Sequence, residues 1–234
     1  MSGSVAIFLP TRKGSQRVPG KNTRSFAGNP EGIIGMKIRQ AMQLPGVQEI
    51  IISTDDPATM EIARKIDPAE EQVKIIERPA RLCQSDTLVE DLIAYVPETT
   101  NADHILWLHA TTPFVQTADY ERALQQYFQA LEQQTHDSVL SVTRYQKFLW
   151  SAEENTIINC DRKKNKWPNT QDLQPLYEIN HAFYIAPRTG YLQLRDRIGE
   201  RPLLFELSAI QAFDIDWEDD FIIAEAIYER IYNS

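Results

Sequence analysis

Short apolar runs alternate with helical patterns along this chain, and this alternation limits the fold more than any other feature. The runs are rich in β-branched and aromatic residues, which favour strands. They cover residues 5–9, 50–53, 73–76, 104–108, 138–142 and 182–185. Strands separated by helices predict a mainly parallel sheet with helices packed on its faces, and therefore an α/β fold.

Three segments between and after these runs have the features of amphipathic helices. Asp56 and Pro57 provide an N-cap and a first-turn proline for a helix over 58–66. Apolar side chains recur at helical spacing after Thr117 and again after Trp217. These apolar stripes are expected to face the core, since burial of such a face stabilises most helices.

Length and composition predict one domain. A chain of 234 residues with 42% hydrophobic residues can bury a sizeable core, so 1–234 is interpreted as a single domain. The pattern loosens between about 143 and 177, where no clear strand–helix unit is visible. A loop of this length inside a compact domain usually has a function, and the segment is interpreted as an inserted arm.

The charge balance limits the class of partner. A formal charge of −9 argues against nucleic acid and anionic membranes, although a local basic pocket can still hold a nucleotide. Cys83 and Cys160 match neither a disulfide framework nor a zinc site. The first residues lack a signal-peptide core, so a cytoplasmic protein is expected.

A cationic segment, residues 9–22, follows the first predicted strand. Pro10 ends the hydrogen-bond ladder, and Gly14 and Ser15 allow backbone N–H groups to turn toward an anion. The cations available to neutralise that anion are Arg12, Arg17 and Lys21. This combination predicts a phosphate site, and the alternative is a solvated basic turn.

The cationic segment is not a P-loop of the form G-x-x-x-x-G-K-[ST]. Five residues separate Gly14 from Gly20, and Asn22 follows Lys21 where a hydroxyl residue is required.

Two carboxylates near the end of the chain are candidates for a metal site. Asp214 and Asp216 are two positions apart, so in a strand both side chains would point to the same side. Mg²⁺ commonly takes one or two carboxylates together with substrate phosphates. The alternative is that Asp216 caps the helix that begins near Trp217.

Several further motifs follow the cationic segment in a fixed order. They are Ile52-Ser53-Thr54-Asp55, Arg78-Pro79 with Ser85-Asp86-Thr87, Leu108-His109-Ala110-Thr111-Thr112-Pro113, 178–185 and Asp214-Ile215-Asp216. Together, over nearly the whole chain, they resemble the acylneuraminate (CMP-sialic acid) cytidylyltransferases and their legionaminate and pseudaminate relatives. These enzymes activate nine-carbon acidic sugars, the nonulosonic acids.

This resemblance implies a nucleotide-diphosphosugar-transferase-like three-layer sandwich. The inserted arm would form a homodimer and reach over the sugar site of the neighbouring subunit. The implied substrates are CTP and an acidic sugar, with Mg²⁺ as cofactor bound by Asp214 and Asp216. No nucleic acid and no membrane would be involved.

The phosphate chemistry suggests a role for each cation. Arg12 and the backbone of Gly14 and Ser15 suit the β- and γ-phosphates, with Arg17 as a second candidate, and Lys21 suits the α-phosphate. Asp216 is the hypothetical base for the anomeric hydroxyl, directly or through a coordinated water. The predicted catalytic residues are therefore Arg12, Lys21 and Asp216.

Other roles come from the resemblance alone. The implied nucleotide contacts are Asn22, Arg78, Ser85 and Thr87, and the implied sugar contacts are His109, Thr111 and Asn180. His109 stands where the family usually has a glutamine. Thr170 stands where an arginine for the sugar carboxylate is expected, which leaves Lys147, Arg144 or Arg162 to provide that charge.

The sequence therefore predicts transfer of CMP from CTP to the anomeric hydroxyl of a nonulosonic acid, with release of pyrophosphate. One alternative is a cytidylyltransferase for the eight-carbon acid KDO. Another is a non-catalytic nucleotide-binding paralogue, which His109 and Thr170 suggest.

Overall fold

A central sheet of seven strands organises the protein in the computed structural model, which describes residues 3–14 and 17–232. The strands are β1 (Val5–Pro10), β2 (Val47–Thr54), β3 (Val73–Glu77), β4 (His104–Leu108), β5 (Ser138–Tyr145), β8 (Leu176–Pro187) and β9 (Pro202–Glu206). Their order is β3-β2-β1-β4-β8-β5-β9. Only β8 runs antiparallel to its neighbours, so the sheet is mainly parallel, as predicted.

Six helices cover the two faces of this sheet within the described residues. They are α1 (Gly32–Met42), α2 (Pro57–Ile66), α3 (Val89–Tyr95), α4 (Thr117–Glu132), α5 (Arg188–Leu194) and α6 (Glu218–Tyr232). Side chains alternate along β1: Ile7 and Leu9 join the core beneath α1, α4 and α6, while Phe8 joins the core beneath α3 and α5. The result is a sandwich of three layers.

The inserted segment is shorter than predicted. Thr143–Tyr145 and Leu176–Glu178 pair with each other, because β5 and β8 extend beyond the predicted strands 138–142 and 182–185. The excursion between these strands therefore covers 146–175, and it contains the small hairpin of β6 (Trp150–Ser151) and β7 (Thr156–Ile157).

The chain reverses its direction across the sheet at β1. It runs from β1 through β2 to β3 on one side, and then returns to place β4 against the other side of β1. In open α/β sheets, ligands bind outside the carboxyl ends of the strands at such a reversal. The ends of β1 and β4 therefore mark the expected site. Among the described residues, no helix has the length and apolar character needed to cross a membrane.

Candidate active site

Neighbouring strands hold the start of the cationic segment. The backbone N–H of Thr11 donates to the carbonyl of Ser53 (3.0 Å), and the Thr11 hydroxyl donates to the Thr54 hydroxyl (3.0 Å). The backbone N–H of Lys13 donates to Asp55 Oδ1 (2.7 Å). The motif at the end of β2 thus fixes the loop after β1. Ser15, a predicted phosphate contact, lies outside the described residues.

Glycine is needed at two positions of the cationic segment. Gly14 has φ of +79° and Gly20 has φ of +62°, a backbone region that residues with a Cβ seldom occupy. Gly20 accepts backbone hydrogen bonds from Thr23 and Arg24, which closes a turn around Lys21.

The acidic pair lies on the irregular segment that joins β9 to α6, so the predicted placement of Asp214 and Asp216 on a strand is wrong. The backbone N–H of Ile215 donates to the carbonyl of Thr111 (3.0 Å), which fixes this segment to the loop after β4. At the start of α6, the carboxylate of Asp220 accepts hydrogen bonds from the backbone N–H groups of Asp216 (3.0 Å) and Trp217 (2.8 Å).

The cationic segment and the acidic pair meet at the end of β1. Lys21 Nζ donates to the carbonyl of Ile215 at 2.5 Å and lies 3.9 Å from Asp216 Oδ1. Arg17 pairs with the same carboxylate oxygen at 2.9 Å. Burial lowers the pKa of Lys21, and the charges of Asp214 and Asp216 oppose that shift. Residues almost two hundred positions apart therefore form one charged site.

Asp214 has the features of a ligand for a hard cation. Its Oδ1 is buried and has no hydrogen-bond partner among the described residues, while Thr111 bonds to the carboxyl group. Burial raises the pKa of Asp214, because the charged form has lost its water. No cluster of three or more His, Cys, Asp or Glu suited to a metal occurs in the described part of the chain. Two carboxylates suffice for Mg²⁺ when phosphates complete its coordination.

The nucleotide contacts implied by the resemblance, Asn22, Arg78, Ser85 and Thr87, differ in their surroundings. Arg78 is buried, and its side chain donates to the carbonyl of Ser53 at 2.6 Å. This contact stabilises the end of β2. Ser85 is exposed, and Thr87 donates its hydroxyl to the carbonyl of Arg81 (3.1 Å). Asn22 has a buried Oδ1 that makes no hydrogen bond within the part of the chain that the structure describes. Of these four residues, Asn22 has the clearest unsatisfied polar group.

Arg12 extends toward this same region. Its Nη1 donates to the carbonyl of Gln84 at 3.1 Å, which links the cationic segment to the loop that contains Ser85 and Thr87. Arg12 itself is exposed, so its remaining donors can reach a ligand.

The two histidines of the site, His109 and His181, belong to one network of side-chain contacts. Their rings lie 6.3 Å apart between centroids. The Tyr184 hydroxyl lies 2.7 Å from His181 Nδ1, and Arg197 Nη1 lies 3.4 Å from His109 Nε2. Burial and the charge of Arg197 lower the pKa of His109 to about 3, so this imidazole is neutral near pH 7.

Arg197 is the member of this network that sequence reasoning missed. It follows α5 in a loop with no motif of its own, and only its buried position reveals it. The structure brings Thr111 and His109 to the end of β4, as expected for residues that follow one strand.

The remaining predicted sugar contacts lie elsewhere or are engaged internally. The Asn180 side chain donates to Thr143 Oγ1 (3.1 Å), which connects β8 to β5. It also accepts from the backbone N–H of Ala182 (3.2 Å). Lys147 is exposed at the start of the excursion, and its carbonyl accepts from Asn159 (2.8 Å). Arg162 lies over the Trp167 ring (5.7 Å to the centroid).

A cationic loop that faces two carboxylates at the reversal point of a mainly parallel sheet defines an α/β nucleotidyltransferase. The model of the family described as cytidylyltransferase matches residues 6–231, and the chain belongs to that family.

Relatives from three organisms align with almost the whole chain. A pseudaminic acid cytidylyltransferase of Campylobacter jejuni (strain 81-176) is 26% identical over 97% of both chains. A CMP-N,N'-diacetyllegionaminic acid synthase of Legionella pneumophila is 27% identical over 96% of both. An N-acylneuraminate cytidylyltransferase of Streptococcus agalactiae serotype V is 24% identical over 92% of this chain and 51% of its own length.

Solved structures share the fold. A CMP-2-keto-3-deoxy-manno-octonic acid synthetase complexed with CTP superposes with a TM-score of 0.67 at 18% identity, covering 97% of this chain and 99% of its own. The predicted nucleotide-diphosphosugar-transferase-like fold is thereby confirmed.

Proposed function

We propose that this enzyme transfers CMP from CTP to the anomeric hydroxyl of a nonulosonic acid and releases pyrophosphate. The observation that carries the proposal is the contact of Lys21 and Arg17 with the segment that bears Asp214 and Asp216. The names of the relatives support an acceptor of the pseudaminic, legionaminic or sialic type.

The cations neutralise the triphosphate. Attack of the anomeric oxygen forms a bond to the α-phosphorus, and the bond from that phosphorus to the oxygen bridging the β-phosphate breaks. Negative charge then accumulates on the departing pyrophosphate, where Arg12 and Arg17 act, while Lys21 balances the α-phosphate. Positioning and charge stabilisation account for most catalysis in phosphoryl-type transfer.

Asp214 and Asp216 would hold Mg²⁺, which when bound polarises phosphate oxygens as a Lewis acid. The buried, unpartnered Oδ1 of Asp214 supports this assignment. Asp216 is half exposed and accessible to an acceptor, so its carboxylate is proposed to receive the hydroxyl proton.

We further propose a cytoplasmic homodimer. Both cysteines are free, as expected in a reducing compartment. The excursion 146–175 exposes the large side chains of Phe148, Trp150 and Trp167, which are 38%, 58% and 68% exposed. Large exposed apolar surfaces commonly mark interfaces.

Pyrophosphate release tests this function. The protein is incubated with CTP, Mg²⁺ and, separately, pseudaminic, legionaminic and N-acetylneuraminic acids and KDO. Turnover is expected with at least one nine-carbon acid. Activity with KDO alone would support the eight-carbon alternative, and CTP binding without turnover on any acid would support a non-catalytic paralogue.

A further inference from the structure

Arg197 is a buried cation that forms no salt bridge with any carboxylate of the described residues. Its residue is only 8% exposed. The neighbouring carboxylate of Asp196 accepts instead from the backbone N–H groups of Arg197 (2.6 Å) and Ile198 (3.2 Å). Burial lowers the pKa of Arg197, and the charge of Asp196 and a hydrogen bond with Tyr184 oppose this shift without cancelling it. A buried charge that is only partly compensated is costly, so this guanidinium is suited to an anion from outside the chain.

Aromatic rings fix the plane of this guanidinium. Its central carbon lies 3.9 Å from the Tyr184 centroid and 4.7 Å from the Trp107 centroid. Contacts with ring faces leave the N–H groups at the edge of the guanidinium, and this fork matches a carboxylate in bidentate geometry. Arg197, Tyr184 and His181 line an open cleft of about 510 Å³. The same cleft is also lined by the acidic residues Glu90, Asp91 and Asp196.

The two histidines connect Arg197 to the nucleotide side of the site. His109 interacts electrostatically with both Arg197 and Lys21, and His181 does so with Arg197, Asp214 and Asp216. Both histidines thus interact with Arg197 and with charged groups of the predicted phosphate site. Arg197 is not needed for the phosphates, because Arg12, Arg17 and Lys21 already serve them.

We propose that Arg197 binds the carboxylate of the acidic sugar and holds the acceptor in the cleft beside His181 and Tyr184. This inference rests on the proposed function and deepens it. It assigns the carboxylate to a residue of the same chain that lies after α5, and not to Lys147, Arg144 or Arg162 of the 143–177 region.

The test compares an accepted nine-carbon acid with its methyl ester, in which the carboxylate charge is absent. For the unmodified enzyme, kcat/KM should fall about 30-fold on esterification, the size expected for a charge-assisted hydrogen bond. In Arg197→Gln, kcat/KM for the acid should fall by about the same factor, whereas kcat/KM for the ester should stay close to its value in the unmodified enzyme. KM for CTP should stay within about twofold of the unmodified enzyme, since one lost contact affects only its own ligand.

Two further variants make the result specific. Arg201→Gln removes a charge from the same loop, where the side chain donates to the carbonyl of Gln134, and should preserve the preference for the acid. Arg197→Lys keeps the charge but not the fork. It should fold even if the glutamine variant does not, and it should retain only part of that preference.

Several outcomes would overturn the assignment. The unmodified enzyme could use acid and ester with equal kcat/KM, or Arg197→Gln could lose kcat/KM equally with both acceptors. The preference for the acid could also be unchanged in Arg197→Lys, or only Lys147→Gln could lose activity selectively with the acid. Absence of pyrophosphate release with every acid would instead refute the proposed function itself.

Discussion

At the scale of single residues, Asp214 and Asp216 have different surroundings despite their spacing of two. Asp214 is largely buried and bonded by Thr111, whereas Asp216 is half exposed and pairs with Arg17. Asp214 is thereby suited to hold a cation in place, and Asp216 is accessible to a substrate. Sequence spacing predicted the pair but not this difference, because the two environments depend on residues distant in sequence, Thr111 beside Asp214 and Arg17 beside Asp216.

Replacing Asp216 tests its proposed role. Asp216→Asn should lower kcat by about 100-fold or more, since the variant loses a charge that stabilises the reacting groups. The matched control is Asp219→Asn, an exposed acidic position in the first turn of α6, which should leave turnover unchanged. Steady-state pyrophosphate release at saturating Mg²⁺ measures both. Near-normal kcat in Asp216→Asn would refute a catalytic role.

His109 makes stability depend on pH. The folded pKa of about 3 lies below the ordinary value of 6.5, so the unfolded state binds more protons between these values. Stability therefore rises with pH across this window and falls on acidification. Between pH 7 and pH 5, the free energy of unfolding should fall by about 2 kcal/mol from this residue.

Urea unfolding at pH 7 and pH 5 measures this dependence. His109→Gln should show a smaller fall than the unmodified protein, and His136→Gln, at a partly exposed position, should not. Equal falls in the unmodified protein and His109→Gln would contradict the neutral state of His109 in the folded protein.

At the scale of elements, α1 holds the turn of the cationic segment in place. Gly32 begins α1 with φ of +65°, and a Cβ there would lie 2.5 Å from the Arg24 carbonyl oxygen and 2.6 Å from that of Asn22. The backbone N–H of Ile34 also donates to the Asn22 carbonyl (2.9 Å). The entry to α1 therefore fixes the position of Asn22, next to Lys21.

Gly32→Ala should damage this contact. We expect it to destabilise the fold by about 3 kcal/mol, from strain plus the clash, and to weaken CTP binding. Gly28→Ala is the matched control, because Gly28 also has positive φ (+80°) but no atom within 4 Å of a Cβ, so about 1 kcal/mol is expected. Chemical denaturation and calorimetric titration with CTP measure both effects. Equal effects of the two substitutions would show that close packing at Gly32 has no role.

The elements also show what the sequence could reveal. Strands with continuous apolar runs and helices with clear caps, such as α2 after Asp56, were predicted because their signals are local. Helix α1 was not predicted from the sequence. Its buried face includes the polar residues Lys37 and Gln40, so the sequence shows no clear apolar stripe there. Lys37 is tolerated inside because its ammonium group donates to Val115 O (2.8 Å) and Tyr120 Oη (2.9 Å), contacts that only the fold creates.

At the scale of the whole molecule, the order of the strands assembles the site. Lys21 follows β1, Thr111 follows β4 and Asp216 precedes α6, and the reversal at β1 brings their loops to one edge. The cationic residues and the carboxylates were predictable as residue types with known chemistry. Arg197 was not, because its importance depends on burial between rings from β4 and β8.

The proposed homodimer predicts a solution mass near twice the 26.9 kDa of the chain. Because Trp150 and Trp167 are exposed on the excursion 146–175, a double substitution by serine should shift the protein toward monomer. Light scattering after size exclusion measures the mass. A monomeric unmodified protein, or a double variant that remains dimeric, would contradict an interface at this surface.

The central claim is that the cationic segment and the carboxylate pair act on one triphosphate. A crystal structure of the protein with CTP and Mg²⁺ tests it most directly. The account predicts the triphosphate beside Arg12 and Lys21, with a cation bound by Asp214 and Asp216 and by phosphate oxygens. A triphosphate bound away from either group, or a cation that does not contact these carboxylates, would contradict it.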